Sequence, residues 1–434
     1  MTWETALLVY SLVMVGCLFG GVLIGTTIGI VGILGITLAS GTRLWPSLGD
    51  IVWNTTTSFT LVAIPLFVLM GEIILRSGVS RRFYSGISNL LTGVPGGLAH
   101  TNILGCAVFS ALSGSTVATA MTVGTVALPE MRGRGYDDRL TLGTLTGGGC
   151  LGILIPPSIP MIVYSSVTQE SVLDMFAAGI VPGIVLTVCF LAYVAIRVVA
   201  SPGLAPAREQ RASGAVIVRG LLDTLPVILL VLSVLGGMYW GIVTPTEAAG
   251  FGCAIAIVIA LAYRDFSWSA LNQSLRNAVI TSCVVLFITI NSQFLSFAIV
   301  QAGIGRSISN ALISLDVAPF VLFCVLVAMY AVLGMFIDGL SIMLLTVPVL
   351  YPGLVGLGFD GVWLGIVIIV LIELGALTPP MGLNLFAIQS ISRETPIAAV
   401  GRSSLPYAAI ILALCFVLYA FPELVLFLPE AMKK

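Results

Sequence analysis

The sequence predicts an all-α protein that crosses a membrane many times and is built from two inverted repeats. Three observations carry that expectation. Of 434 residues, 58% are hydrophobic and only 9% are charged, where a soluble protein carries roughly 25% charged residues. Apolar runs of about 20 residues, the length that crosses a bilayer as helix, recur along the whole chain. The short alternating segments of a membrane barrel are absent. A double-proline motif occurs twice inside apolar sequence, as Gly152-Ile153-Leu154-Ile155-Pro156-Pro157-Ser158 and Gly375-Ala376-Leu377-Thr378-Pro379-Pro380-Met381, about half the chain apart. Further landmarks repeat at nearly the same offset: Ile74-Leu75-Arg76-Ser77-Gly78-Val79-Ser80-Arg81 matches Ile299-Val300-Gln301-Ala302-Gly303-Ile304-Gly305-Arg306.

Taken in order, residues 6–40 hold two spans, broken near Gly25-Thr26-Thr27. A third span covers about residues 52–75. Residues 81–91 are short and amphipathic, which suits an interfacial helix. Residues 102–131 carry Gly114 between Ser113 and Ser115 at their middle and are flanked by basic segments, so they read as a re-entrant hairpin. A broken span over residues 140–164 follows, then a span over 176–199. The polar stretch with Ser201-Pro202-Gly203 and Ala205-Pro206 marks a linker, taken as residues 201–223 between a first repeat, 1–200, and a second, 224–434. The second half repeats the pattern: spans near 224–241, 248–263 and 278–300, a hairpin over 319–350, a broken span over 362–388 and a last span near 405–421. Each hairpin ends near a proline, Pro129 and Pro348.

Five crossings per half is an odd number, so the second half starts on the opposite side and the repeats are inverted. The charges orient them. With the N-terminus outside, 14 of the 18 basic residues lie inside: Arg76, Arg81, Arg82, Arg132, Arg134, Arg139, Arg197, Arg208, Arg211, Arg219, Arg264, Arg276, Arg393 and Arg402. Arg43, Arg306, Lys433 and Lys434 lie outside. The positive-inside rule favours that orientation, with both termini outside. The two hairpins then enter from opposite faces and meet near the midplane, the architecture of an alternating-access carrier.

Composition excludes several function classes. A net charge of −1 with no basic stripe argues against nucleic acid. The eight cysteines lie singly in apolar segments, without metal spacing. One histidine, His100, excludes a multi-histidine metal site and sits in no recognisable catalytic context. There is no phosphate-binding Gly-x-x-x-x-Gly-Lys-Ser/Thr loop, so energy must come from an ion gradient or another subunit. No enzyme is expected. Residues 1–40 lack the basic start of a cleavable signal peptide.

Candidate chemistry lies at the interruptions. Proline lacks an N–H and blocks the bond to the carbonyl one turn back, so each Pro-Pro frees carbonyls around Gly152–Ile155 and Gly375–Thr378. Freed carbonyls in hydrocarbon need a partner. A Na⁺ ion is one partner, because broken helices present carbonyls to cations and helix N-termini to anions; back-bonding by Ser or Thr hydroxyls at a plain kink is the other. The expected ligands are Ser113, Ser115 and Gly152 at one Na⁺ site. At a second they are Gly334, Gly375, Thr378 and Met381 (by its carbonyl). Substrate is expected between the hairpin tips, near Ser158, Asp338 and Asn384. Asp338 could also cap a half-helix. Glu72 and Glu373, acids inside spans, are functional suspects that could equally pair with arginine or backbone.

At these residues the chain resembles the large membrane subunit of tripartite ATP-independent periplasmic (TRAP) transporters, the DctM-like family. The resemblance rests on Ile64-Pro65-Leu66-Phe67-Val68-Leu69-Met70-Gly71-Glu72, Gly97-Leu98-Ala99-His100, Ser113-Gly114-Ser115 and Pro156-Pro157-Ser158-Ile159-Pro160-Met161. It continues through Thr244-Pro245-Thr246-Glu247-Ala248-Ala249 and Leu377-Thr378-Pro379-Pro380-Met381-Gly382-Leu383-Asn384-Leu385-Phe386. It implies Na⁺-driven uptake of organic anions, often carboxylates such as dicarboxylates, across a bacterial inner membrane. It also implies an elevator-type architecture of the ion transporter superfamily, in which a transport domain holding both hairpins slides against a scaffold. The implied partners are a small four-helix membrane subunit, here unfused, and a soluble periplasmic substrate-binding protein. One departure stands out: Thr119 occupies a position where many relatives carry an acid or Asn. That removes a charge there and leaves the neutral oxygen ligands. The alternatives are a self-sufficient ion-coupled carrier and, from other classes, a channel or an intramembrane enzyme.

Overall fold

The computed structural model describes residues 2–206, 213–263, 266–305, 307, 310, 318–380 and 382–433. Met381, Arg208, Arg211, Arg264, Arg306 and Lys434, used above, lie outside the described residues. Every regular element among the described residues is helical, and eight helices are long and apolar enough to cross a membrane. The chain is a multi-pass membrane protein.

Helix α1 (Trp3–Phe19) and α2 (Ile24–Ser40) are separated at Gly20–Leu23, not at Gly25-Thr26-Thr27. Gly21, with φ +76°, turns the chain. Gly25 belongs instead to a row with Gly29, Gly32 and Gly35 that faces a later helix, α13 (Trp268–Gln301). A Cβ on Gly32 would lie 2.6 Å from the Leu295 backbone nitrogen. Lipid gives helices no hydrophobic reason to associate, so close backbone approach through small residues is what holds such a pair. The third span also differs from expectation. Pro46 opens a separate helix, α3 (Pro46–Thr56), before the span proper, α4 (Phe59–Arg76).

Helix α5 (Val79–Leu90) is amphipathic as expected, with Val79, Phe83 and Ile87 on one buried edge and Arg82 exposed. That apolar face is covered by protein. It packs on α6 (Gly97–Ser113) and α11 (Gly214–Tyr239), where Gly86 and Gly220 let the two backbones touch.

Over the stretch read as the first hairpin, α6 is joined to α7 (Thr116–Gly133) through Gly114-Ser115. The first broken span consists of α8 (Asp138–Gly149), a 3-10 turn over Cys150–Ile153 and α9 (Ile159–Thr168). Its pieces are too short to cross a bilayer singly. Helix α10 (Val172–Ala200) follows. In the second half come α11, α12 (Pro245–Ala262) and α13. Then α14 (Pro319–Gly334) and α15 (Gly339–Gly356) form a second hairpin, and α16 (Gly361–Leu377) and α17 (Leu383–Ile391) a second broken span. Helices α18 (Ile397–Ala420) and α19 (Glu423–Met432) end the chain. Several starts are set by local capping chemistry. Thr244 and Glu247 form a reciprocal capping box, Asp137 and Asp360 accept first-turn N–H bonds, and Ser171 does the same for α10.

Contacts are densest within two bodies of helices, which meet through α4, α5 and α13 and share one continuous apolar core. One body comprises α1–α5 with α11–α13, the other α6–α10 with α14–α19. Within them a pattern occurs twice. Helix α2 packs on α13 and α12 on α4; α6 packs on α8 and α14 on α16; α7 packs on α17 and α15 on α9. The first two and the last two of these pairs cross the halves, and in the last two each hairpin leans on the far piece of the other half's broken helix.

Candidate functional site

Each hairpin tip presses on the break of its own half. Helix α6 ends at Ser113, and Gly114 turns the chain with φ +56°. A Cβ there would be strained and would also crowd the Pro157 carbonyl at 3.1 Å. Ser115 caps α7, its Oγ accepting from the Ala118 N–H at 3.5 Å. The Ser113 hydroxyl bonds Thr119 Oγ1 at 2.6 Å and donates to the Ser115 carbonyl at 3.3 Å. Gly152, buried in the 3-10 turn, lies against this tip: a Cβ on it would sit 2.7 Å from the Ser115 carbonyl oxygen. Thus Ser113, Ser115 and Gly152 are brought together.

The second half does the same. Gly334, the last residue of α14, abuts Gly375 near the end of α16. Thr378 bonds back to its own helix, its Oγ1 donating to the Leu374 carbonyl at 2.6 Å and its N–H to the Gly375 carbonyl at 3.0 Å. Ser404 donates to the Leu377 carbonyl at 2.9 Å. Several carbonyls freed at this break therefore have protein partners, as the hydroxyl alternative expected. Both double-proline bonds, Pro156-Pro157 and Pro379-Pro380, are cis. Asp338 caps α15, its Oδ2 accepting from the Ser341 N–H at 3.0 Å.

The two halves are cross-linked by polar side chains. Glu373 on α16 is buried, and one carboxylate oxygen accepts a hydrogen bond from Thr116 Oγ1 at the first tip. Asn384, at the start of α17, is buried and donates to the Thr146 carbonyl on α8 at 2.5 Å. Three buried oxygens here have no partner among the described residues: Glu373 Oε2, Asn384 Oδ1 and Ser158 Oγ. A buried polar atom without a partner is costly, and such orphans mark places where a ligand or ordered water belongs.

A cavity of about 320 Å³ opens between the tips. Ser115, Thr116, Gly334, Asp338, Glu373 and Asn384 line it. One wall comes from the other body, through Thr281, Val285 and Ile288 of α13. Of the three residues expected at substrate, Asp338 and Asn384 line this cavity, whereas Ser158 lies buried behind the first tip. Ser113 and Ser115 also border a smaller space, about 100 Å³, that reaches Glu72. Glu72 Oε2 accepts from Arg76 at 3.0 Å and from Asn277 at 3.1 Å, so its carboxylate is paired. His100 lines neither space.

Thr116 was not among the residues expected at the site and Glu373 had no definite role there, although an acid in an otherwise apolar helix, just before Gly375, stands out. The α13 wall carried no local signal, since nothing in its own sequence says which body it faces.

A family model, the DctM component of tripartite ATP-independent periplasmic transporters, matches residues 11–424. A C4-dicarboxylate TRAP transporter large permease protein of Pseudomonas aeruginosa is 34% identical over 409 residues, covering 93% of this chain and 94% of that protein. A sialic acid TRAP transporter permease protein of Haemophilus influenzae is 28% identical, covering 98% of this chain and 68% of its own length. Among solved structures, the YdaH transporter of Alcanivorax borkumensis superposes with a TM-score of 0.63 at 16% identity, covering 88% of each chain, which speaks to the fold. The chain therefore belongs to the DctM family of TRAP transporter large permeases and is a membrane transport protein, not an enzyme.

Proposed function

We propose that this chain is the permease subunit of a Na⁺-coupled importer of organic anions in a bacterial inner membrane. The observation that carries the reading is the paired contact of each hairpin tip with its own broken helix, on either side of one cavity. Substrate, a carboxylate, would occupy that cavity near Asp338 and Asn384, with Ser158 supporting the first break from behind. C4-dicarboxylates and sialic acid, the substrates in the relatives' names, are both carboxylates.

The donor set at the breaks fits a hard monovalent cation. Ser113, Ser115 and Gly152 lie together at the first break, Gly334 touches Gly375 at the second, and the buried oxygens of Glu373, Asn384 and Ser158 without partners among the described residues add acceptors. Broken helices present such oxygens to Na⁺ in membrane carriers. Met381, outside the described residues, would add its carbonyl to the second set. Na⁺ at these positions would hold each tip against its break and so couple the ion to the shape of the cavity.

The two packed bodies support an elevator. The body with both hairpins would slide along α13 and α4, carrying the cavity across the membrane. Domain limits of 1–200 and 224–434, with both termini periplasmic, complete the proposal. A periplasmic substrate-binding protein would deliver the anion, and a small four-helix membrane subunit would brace the scaffold.

The test is uptake into proteoliposomes holding this chain and its small subunit, with the binding protein supplied outside. Uptake should need both the binding protein and an inward Na⁺ gradient. Equal uptake in K⁺ would reject Na⁺ coupling, and equal uptake without the binding protein would make the chain a self-sufficient carrier.

A further inference from the structure

A second cleft, about 480 Å³, lies away from the hairpin cavity, between α8, α10 and α18. Three arginines from three helices line it: Arg139, Arg197 and Arg402. All three are exposed. Arg76, Arg132 and Arg134, by contrast, each hold a carboxylate. Among the described residues, Arg139, Arg197 and Arg402 do not, and no described Asp or Glu lines the cleft.

Each arginine alone has an ordinary explanation, since this end of the molecule is the basic end and basic residues gather on the cytoplasmic side. That rule explains the face; it does not explain three guanidiniums in one cleft without a counter-charge. The helix dipole does not explain it either. Arg197 sits in the last turn of α10, where a cation is favoured, but Arg139 is in the first turn of α8 and Arg402 in the second turn of α18. Arg402 therefore stands near an uncapped positive pole, whereas the start of α8 beside Arg139 carries the Asp137 cap. An anion in the cleft resolves both conflicts.

We propose that this cleft binds a phosphate oxyanion. Each guanidinium presents a planar fork that matches phosphate oxygens two at a time. A tetrahedral oxyanion offers oxygens in several directions for three forks, whereas a carboxylate offers only two, in one plane. The start of α18 adds to this. It has no side-chain cap, and Ala398 in its first turn lines the cleft, so backbone N–H groups and the helix dipole favour negative charge there. Tyr407 also lines the cleft and has a buried hydroxyl with no partner among the described residues. The phosphate could be the headgroup of an anionic phospholipid, which basic pockets between membrane helices recognise, or dissolved phosphate.

The experiment is native mass spectrometry of the full chain in detergent, titrated with phosphatidylglycerol or phosphatidylcholine, with inorganic phosphate or succinate as competitor. The wild type should retain phosphatidylglycerol at least tenfold more tightly than phosphatidylcholine. Arg197→Gln with Arg402→Gln should lose at least tenfold of that affinity, while Arg276→Gln, an exposed arginine elsewhere, should not. Arg402→Lys, which keeps the charge and loses the fork, serves if the double variant fails to fold, and should lose severalfold. Displacement by inorganic phosphate at millimolar concentration, or protection by phosphate alone against heat, identifies the soluble source; lipid binding that phosphate does not displace identifies the headgroup. Equal lipid affinity and equal protection by phosphate in wild type and arginine variants overturn the proposal, as does succinate competing as well as phosphate.

Discussion

Gly334 and Gly375 meet backbone to backbone: a Cβ on Gly375 would lie 2.5 Å from the Gly334 Cα, and one on Gly334 would lie 2.6 Å from the Gly375 Cα. The second hairpin tip thus rests on its broken helix with no side chain between them. Neither neighbour is a flexible side-chain end that could swing aside. Gly375→Ala or Gly334→Ala must therefore push the tip away from the break. Overpacking of this kind costs about 1–3 kcal/mol. Uptake should fall at least tenfold in either variant, with the protein still monodisperse by size-exclusion chromatography. Wild-type uptake in Gly375→Ala would show that the contact is dispensable.

Thr116 and Glu373 tie the first tip to the second broken helix. Removing the hydroxyl, the carboxylate or both should not be additive, because both act through one bond. A double-mutant cycle with Thr116→Val and Glu373→Leu should give a coupling of about 0.5–3 kcal/mol in transport or thermal stability. Purely additive effects would mean that the link carries nothing.

Asn384 donates to the Thr146 carbonyl from deep inside the protein. Asn384→Leu removes the donor and leaves that carbonyl bare, which costs about 1–3 kcal/mol. A Tm drop of several degrees is expected, together with loss of uptake, since Asn384 also lines the cavity. A fully stable Asn384→Leu would contradict the assignment.

Lys433 reaches Asp174 at 2.9 Å and holds the end of α19 against the start of α10. The carboxylate raises the lysine's affinity for its proton above the ordinary value. Its contribution is therefore present below the ordinary lysine pKa and is lost only as pH rises through the higher folded one. Lys433 is two-thirds exposed, so solvent screening leaves the pair worth about 1 kcal/mol or less. Lys433→Gln should change Tm little, and equally at pH 6 and pH 8. A difference between those two pH values would point to another group.

Much of the fold is legible in the residues because its signals are local. Length and apolarity mark spans, and a Pro-Pro inside an apolar run marks a break wherever it occurs. The glycines of α2 show the limit of this. A break is expected near Gly25-Thr26-Thr27, yet Gly25 with Gly29, Gly32 and Gly35 forms a packing face for α13. Turn glycine and packing glycine are the same residue until the partner helix is known. Thr378 shows the same limit in the site: a hydroxyl at a break can bind an ion or its own helix, and here it bonds the Leu374 carbonyl.

The sequence by itself determined that the chain is a polytopic helical membrane protein, that its interruptions come in matched pairs, and that its basic residues gather at one end. Those properties follow from hydropathy, proline chemistry and charge, which need no knowledge of the partner. Only the tertiary structure decided that the hairpins lean on each other's broken helices, that Glu373 reaches Thr116 across the halves, and that α13 closes the cavity. Such contacts join residues far apart in the chain. They depend on how apolar helices pack where small residues allow close approach, and a uniformly apolar helix does not declare in its own sequence which face meets lipid and which meets protein.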